Sequence, residues 1–207
     1  MAKLRNPSPS AATVRAYWAY MQKKYDSKVI NKADSEEMKM AAWFLGKMGI
    51  QSKKTFMIKF TTTIGHNIYT PVKIGVGSAS ELRHQIALCA HEHKHVYQGD
   101  KNMFKFMWEY STSSSKRIMY EVEAYRINLE LHFYFTGEIL DIEKMGDNMK
   151  NYGCSAKDIR VFKKYLKLYA KTVERGGVYD SIAKDAIKFL KAAQRKPNRR
   201  RVVKRVC

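Results

Sequence analysis

The chain has 207 residues, 45% of them hydrophobic, and its 39 Lys and Arg outweigh 19 Asp and Glu to give a formal net charge of +20. That length and apolar content suit one domain with a core of its own, with room for an appended helical pair, and the absence of any run of eighteen apolar residues excludes a helical membrane span. No apolar secretory segment follows Met1, and Cys89, Cys154 and Cys207 are too scattered for a paired framework, so a reducing, cytoplasmic setting is expected, or a virion if a bacterial virus encodes the chain.

Pro7 to Ser10 is a loop with helix-start chemistry. Ala11 to Lys24 reads as a helix with Val14, Tyr17, Trp18 and Met21 on one apolar stripe. Asp34-Ser35-Glu36-Glu37 opens a second helix, its acids in the first turn where the helix dipole favours them, running to Gly46 or Gly49. Lys54 to Thr63 is rich in β-formers and partly alternating; Gly65-His66-Asn67 breaks it and Ile68 to Ile74 resumes, which predicts a hairpin. Pro71 cannot donate to a ladder, so the second strand is expected at a sheet edge. Leu82 to Tyr97 is an apolar, helix-compatible run that Gly99 should stop. Asn102 to Tyr110 is ambiguous: Phe104, Phe106, Trp108 and Tyr110 alternate as in a strand, while Met103, Met107 and Tyr110 suit a helix. Thr112 to Ser115 reads as loop and N-cap, and Lys116 to Phe135 as a helix ending near Gly137. Ser155 to Glu174 is an amphipathic helix with Ile159, Phe162, Leu166 and Tyr169 on one face. Gly176-Gly177 breaks it, and Asp180 caps a last helix reaching about Gln194.

The chemistry concentrates in His91-Glu92-His93-Lys94-His95, an H-E-x-x-H pattern on the Leu82–Tyr97 run. Residues four apart share a helix face, so His91 and His95 can offer two imidazole nitrogens to one zinc ion. Glu92, one step round the helix, leans toward the same point and can take a proton from a water polarised by the metal. Gln85 to Ala90 is mostly apolar and small, which predicts that the motif enters a largely buried wall, where charged groups need a partner or a metal. A catalytic zinc usually has three protein ligands. Glu121 and Glu123, on the next long helix, are about 200° apart on the helical wheel and cannot both face the metal. Glu121 has Ala124 and Tyr125 on its face and can approach closely. Glu123 has Arg126 and Ile127 there and reads as a solvated Glu–Arg pair, so Glu121 is the expected third ligand. His93 should face away and be exposed. His84 is too far along the helix to share the ion, His66 sits in the hairpin turn, and His132 lies three turns beyond Glu121. Cys89 reads as a packed thiol. Tyr97, Tyr120, Tyr125 and Tyr152 are candidate donors to a developing oxyanion, and the sequence does not choose among them.

His91-Glu92-x-x-His95-x-x-Gln98, followed by Glu121-x-x-Ala124 on a later helix, resembles the gluzincin zinc metallopeptidases in their compact, minigluzincin form. The resemblance spans roughly residues 54–135. It implies His91, His95 and Glu121 as metal ligands, Glu92 as general base, one zinc ion as cofactor and a protein or peptide as substrate. It departs at Tyr125, where the family usually has an Asp that buttresses a ligand histidine. It also implies an edge strand ahead of the metal helix, on which an extended substrate adds by β-augmentation.

The end of the chain, Arg195 to Arg205, is a basic tail without an acid, of the kind that binds nucleic acid or another polyanion by counterion release, or docks on an acidic partner. The expected architecture is therefore α+β and zincin-like: a small antiparallel hairpin packed on a metal-binding helix, with additional helices at both ends. One domain should cover residues 1–190, with a core about 54–135, flanking helices 11–48 and 155–194, and a tail at 195–207. The expected function is zinc-dependent peptide hydrolysis. The alternatives are a non-cleaving structural or virion-type component tethered by its tail, and a polyanion-binding module in which H-E-x-x-H is incidental.

Overall fold

A computed structural model of the chain describes residues 5–40 and 53–195. Helix α1 (Ala11–Lys24) begins where the Ser10 side chain accepts from the Thr13 amide, and it buries the expected stripe of Val14, Tyr17, Trp18 and Met21. Strand β1 (Lys28–Asn31) and a 3-10 turn (Lys32–Asp34) follow, then helical residues 36–40; the remainder of the expected second helix lies outside the described residues. Helix α2 (Lys53–Lys59) leads to strands β2 (Thr62–Ile64) and β3 (Asn67–Thr70). The helices α3 (Ala79–Lys101), α4 (Met103–Thr112), α5 (Ser114–Thr136), α6 (Ile142–Asn148), α7 (Ala156–Glu174) and α8 (Ser181–Arg195) complete the described chain, with a 3-10 turn (Met149–Tyr152) after α6. The described chain is mostly helical with one small sheet, compatible with the expected α+β class.

Several local expectations change. The segment Lys53–Lys59 is helical, not the first hairpin strand: Phe56 is buried while Ile58 is 56% exposed, so its apolar alternation does not trace a sheet face. The sheet has three described strands in the order β1-β3-β2, with β3 parallel to β1 and antiparallel to β2. The strand before Pro71 is therefore central, and β2 is an edge. Strand β3 ends at Thr70, so the missing N–H of Pro71 falls beyond the ladder. Gly99 lies inside α3, which runs on to Lys101; a Cβ there would meet Met103 Cε at 3.1 Å, so Gly99 permits the close turn into α4 rather than stopping the helix. Residues 103–112 resolve as helix, with Phe106 turned inward and Phe104 and Trp108 outward.

Helix α3 starts with a reciprocal cap: Ser78 Oγ accepts from the Glu81 amide, and Glu81 returns its carboxylate to the Ser78 amide. Its apolar positions Ile86, Cys89, Ala90 and Val96 join Tyr17 and Trp18 of α1, Ile127 and Leu131 of α5 and Ala183 and Ala186 of α8 in the larger core. The other face of α5, through Ile118, Val122 and Leu129, packs on Phe162 and Leu166 of α7. Helix α5 is thus the shared wall of two apolar clusters, which fixes its placement against α3.

One buried acid ties α8 to this wall. Glu130 of α5, 1% exposed, accepts from the Tyr179 and Asp180 amides just before α8 and pairs with Arg126 at 3.1 Å. Glu130→Ala leaves those amides without their acceptor and should lower stability by about 1–3 kcal/mol, read as a shifted urea midpoint with an unchanged slope.

Candidate metal centre

Helices α3 and α5 bring His91, His95 and Glu121 together, as the spacing predicts, and all three side chains are buried. His91 Nε2 lies 3.2 Å from His95 Nε2, Glu121 Oε2 lies 3.6 Å from His91 Nε2, and Glu121 Oε1 lies 3.5 Å from His95 Nε2. The edge of a tetrahedron around a zinc ion with bonds near 2.0–2.1 Å is about 3.3 Å, so the three donors already stand at ligand spacing.

Hydrogen bonding fixes the proton on one imidazole. Gln98 Nε2 donates to the Tyr120 carbonyl (3.1 Å) and to Glu123 Oε2 (3.0 Å), which turns Gln98 Oε1 toward His95 Nδ1 at 2.9 Å. His95 therefore carries a proton on Nδ1, the tautomer that leaves Nε2 free to bind a metal. Burial, and then the neighbouring His95, hold the His91 pKa well below the ordinary histidine value, so that ring is neutral. His91 Nε2 can donate to His95 Nε2 across the 3.2 Å between them, and a cation bound there would replace that shared proton and take both lone pairs. Glu121 Oε2 is buried with no hydrogen-bond partner, while Tyr110 donates to its other oxygen at 2.6 Å. An orphaned carboxylate oxygen beside two imidazole nitrogens could hold a divalent cation.

Glu92 comes from the same turn of α3 and stays outside the triad. The Thr63 hydroxyl of edge strand β2 donates to its Oε2 at 2.7 Å. Burial pushes its pKa up, opposed chiefly by His95 and by the Thr63 hydrogen bond. Lys32 lies beneath the start of β2, fully buried. Its Nζ donates to the Phe60 carbonyl and Thr62 Oγ1, both at 2.8 Å, and burial lowers its pKa to about 8. A cleft of about 900 Å³ opens onto His91 and Glu92. It is lined by Phe60 and Thr61, by His84 and Leu88 of α3, by Asn128 and His132 of α5, and by Tyr152.

The sequence reading misplaces some residues and omits others. His93 does face away from the triad, but it is buried: Ser27 Oγ (2.9 Å) and the Cys89 carbonyl (2.7 Å) bind its two nitrogens, and burial lowers its pKa to about 4. Glu123 is exposed, as expected, yet it braces Gln98 and pairs with Lys94 at 3.5 Å rather than with Arg126. Of the tyrosines considered as donors, Tyr125 and Tyr152 line the cleft, whereas Tyr120 bonds Glu109 and Tyr97 lies under Lys94 and Lys101. Thr63, Tyr110 and Asn128 carried no motif signal. His66 pairs with Asp100 at 2.9 Å, away from the centre.

Comparison with protein-family models, with curated proteins and with solved structures finds no match. Among the described residues no helix is long and apolar enough to cross a membrane. The basic tail lies outside the described residues, apart from Arg195 at the end of α8.

One divalent ion should bind per chain. Glu121→Ala should weaken that binding by an order of magnitude or more, because it removes a ligand. Glu123→Ala should cost less, because it only loosens Gln98 behind His95. Competition titration against a chromogenic chelator measures both.

Proposed function

We propose that the chain is a zinc-dependent, gluzincin-like metallopeptidase in which His91, His95 and Glu121 hold the metal and Glu92 is the general base. The observation that carries this reading is the buried triad at ligand spacing, with the Glu92 carboxylate beside it and one cleft reaching both. The chemistry of the donors favours zinc, since two imidazoles and a carboxylate suit a borderline cation. Zinc bound there would polarise a substrate carbonyl and acidify water.

The chain's own groups supply the rest. Burial raises the proton affinity of Glu92, which suits a base working near neutral pH, and Thr63 orients its carboxylate. Glu92 takes the proton of the attacking water and delivers it to the departing amine. Tyr110 holds the Glu121 carboxylate in place through a hydroxyl whose proton burial and the Glu121 charge retain. Tyr152 stays protonated for the same reason of burial and faces the cleft, where it can donate to the oxyanion. Strand β2 is an edge, and Lys59, Phe60 and Thr61 ahead of it line the cleft, so an extended peptide can pair there.

Replacing Glu92 by Gln keeps the shape and removes the base. Cleavage of an unfolded protein substrate should fall by about 10²-fold or more, with metal content unchanged. Cleavage that survives the substitution contradicts the peptidase reading and leaves a zinc-holding, non-cleaving component, the reading favoured by Tyr125 standing where gluzincins usually carry Asp.

The net charge of +20 supports a second partner, a polyanion such as nucleic acid, held through the basic tail. Deleting residues 196–207 should leave metal content unchanged and flatten the salt dependence of DNA binding, the slope of log K against log salt falling by about 0.9 for each phosphate that the shortened chain no longer neutralises. Equal slopes with and without the tail place the charge that binds on the folded faces instead.

A further inference from the structure

Two atoms near the triad share one defect. His91 Nδ1 is buried without a hydrogen-bond partner, and so is Asn128 Oδ1. Both residues line the same cleft. Asn128 lies seven residues after Glu121 on α5, two helical turns along the same face, so the helix that supplies the third ligand also carries this amide. The Asn128 side chain is close enough to His91 to raise its pKa against the effect of burial, although no hydrogen bond is formed between them. Neither atom bonds to any other described group.

The need for this bond follows from the other side of the ring. His91 Nε2 faces His95 and Glu121, so holding a cation requires a bare Nε2 and puts the ring proton on Nδ1. A buried N–H demands an acceptor. For His95 that acceptor is Gln98 Oε1. For His91 the residue four after Glu121, Tyr125, cannot serve: its ring packs edge-on against the imidazole, with centroids 4.9 Å apart and planes at 90°, and then against Phe162. Asn128, one turn further, presents an acceptor that has no donor of its own.

We infer that Asn128 is the positioning residue for His91, accepting its Nδ1 proton so that Nε2 is held bare and aimed at the metal. The inference rests on the metal-site reading above. Asn128 thereby does for His91 what Gln98 does for His95, and the triad is braced from both helices, by Gln98 on α3 and Asn128 on α5.

Zinc affinity of the full chain, measured by chelator competition, tests this with two replacements. Asn128→Leu keeps the volume and removes the acceptor, and should weaken zinc binding about 10- to 100-fold. Asn128→Asp keeps the acceptor and should bind within a few-fold of the parent. A residue that served only for packing would give the opposite order. Long-range proton–nitrogen spectra of the zinc-loaded parent chain give a reading free of any folding defect: a protonated Nδ1 on His91 supports the inference, and a bare Nδ1 overturns it. Unchanged affinity in Asn128→Leu also overturns it. If His91→Ala and His95→Ala lose zinc while Asn128→Leu does not, the metal site stands and this inference alone fails. If the parent chain binds no zinc, both fail together.

Discussion

A carboxylate buried between two packed helices is the constraint on which the rest of this molecule turns. Glu121 is 1% exposed, one of its oxygens has no hydrogen-bond partner, and beyond the Tyr110 hydroxyl its polar neighbours are two imidazoles at 3.5 and 3.6 Å. An unpaired charge in such a place is costly, and a buried acid ordinarily survives through a partner, a metal or protonation. The surroundings form a group that could hold a metal ion. Two histidines reach in from α3, Tyr110 of α4 supplies one donor, and Gln98 fixes the tautomer that leaves His95 Nε2 free.

The packing serves this arrangement. Helix α5 can bury Glu121 only because apolar residues on its two faces lock it between the α1–α3–α8 cluster and the α7 cluster. Helix α4, short and held by the turn that Gly99 permits, presents Phe106 and Tyr110 to the His95 ring, with centroids 6.3 and 6.0 Å away. On the other side the small sheet hands Thr63 to Glu92, and the buried Lys32 secures the start of β2 from below. Helix α4 and the small sheet therefore each meet the centre through a polar contact, and α1, α7 and α8 hold it by apolar packing.

The triad was legible because its signal is local. An i, i+4 histidine pair needs only a helix to share a face, and the choice of Glu121 over Glu123 followed from which neighbours let α5 approach. The stripe of α1 and the long amphipathic α7 were legible for the same reason: their periodicity is their burial pattern, although Tyr169, on the expected α7 face, is only half buried. What escaped was set by partners distant in sequence. His93 looked exposed because its position on the wheel says nothing of Ser27, which lies 66 residues earlier and fills its second hydrogen bond. Strand β1 is four residues long and pairs parallel to β3, 39 residues on, so no alternation announces it. The β-rich composition of Lys53–Lys59 yielded to a helix that buries Phe56 against Met38 and Tyr69. The braces Thr63, Tyr110 and Asn128 are ordinary residues until the fold sets them beside a charged one.

The central claim is that two imidazoles and one carboxylate form the coordination shell of a resident zinc ion. X-ray absorption at the zinc edge on the purified chain tests it most directly. The expected spectrum has only nitrogen and oxygen scatterers at about 2.0–2.1 Å, with the outer-shell pattern of two imidazoles, and that pattern diminishes by half in His95→Ala. A sulfur shell near 2.3 Å, or a spectrum without imidazole features, would contradict the account.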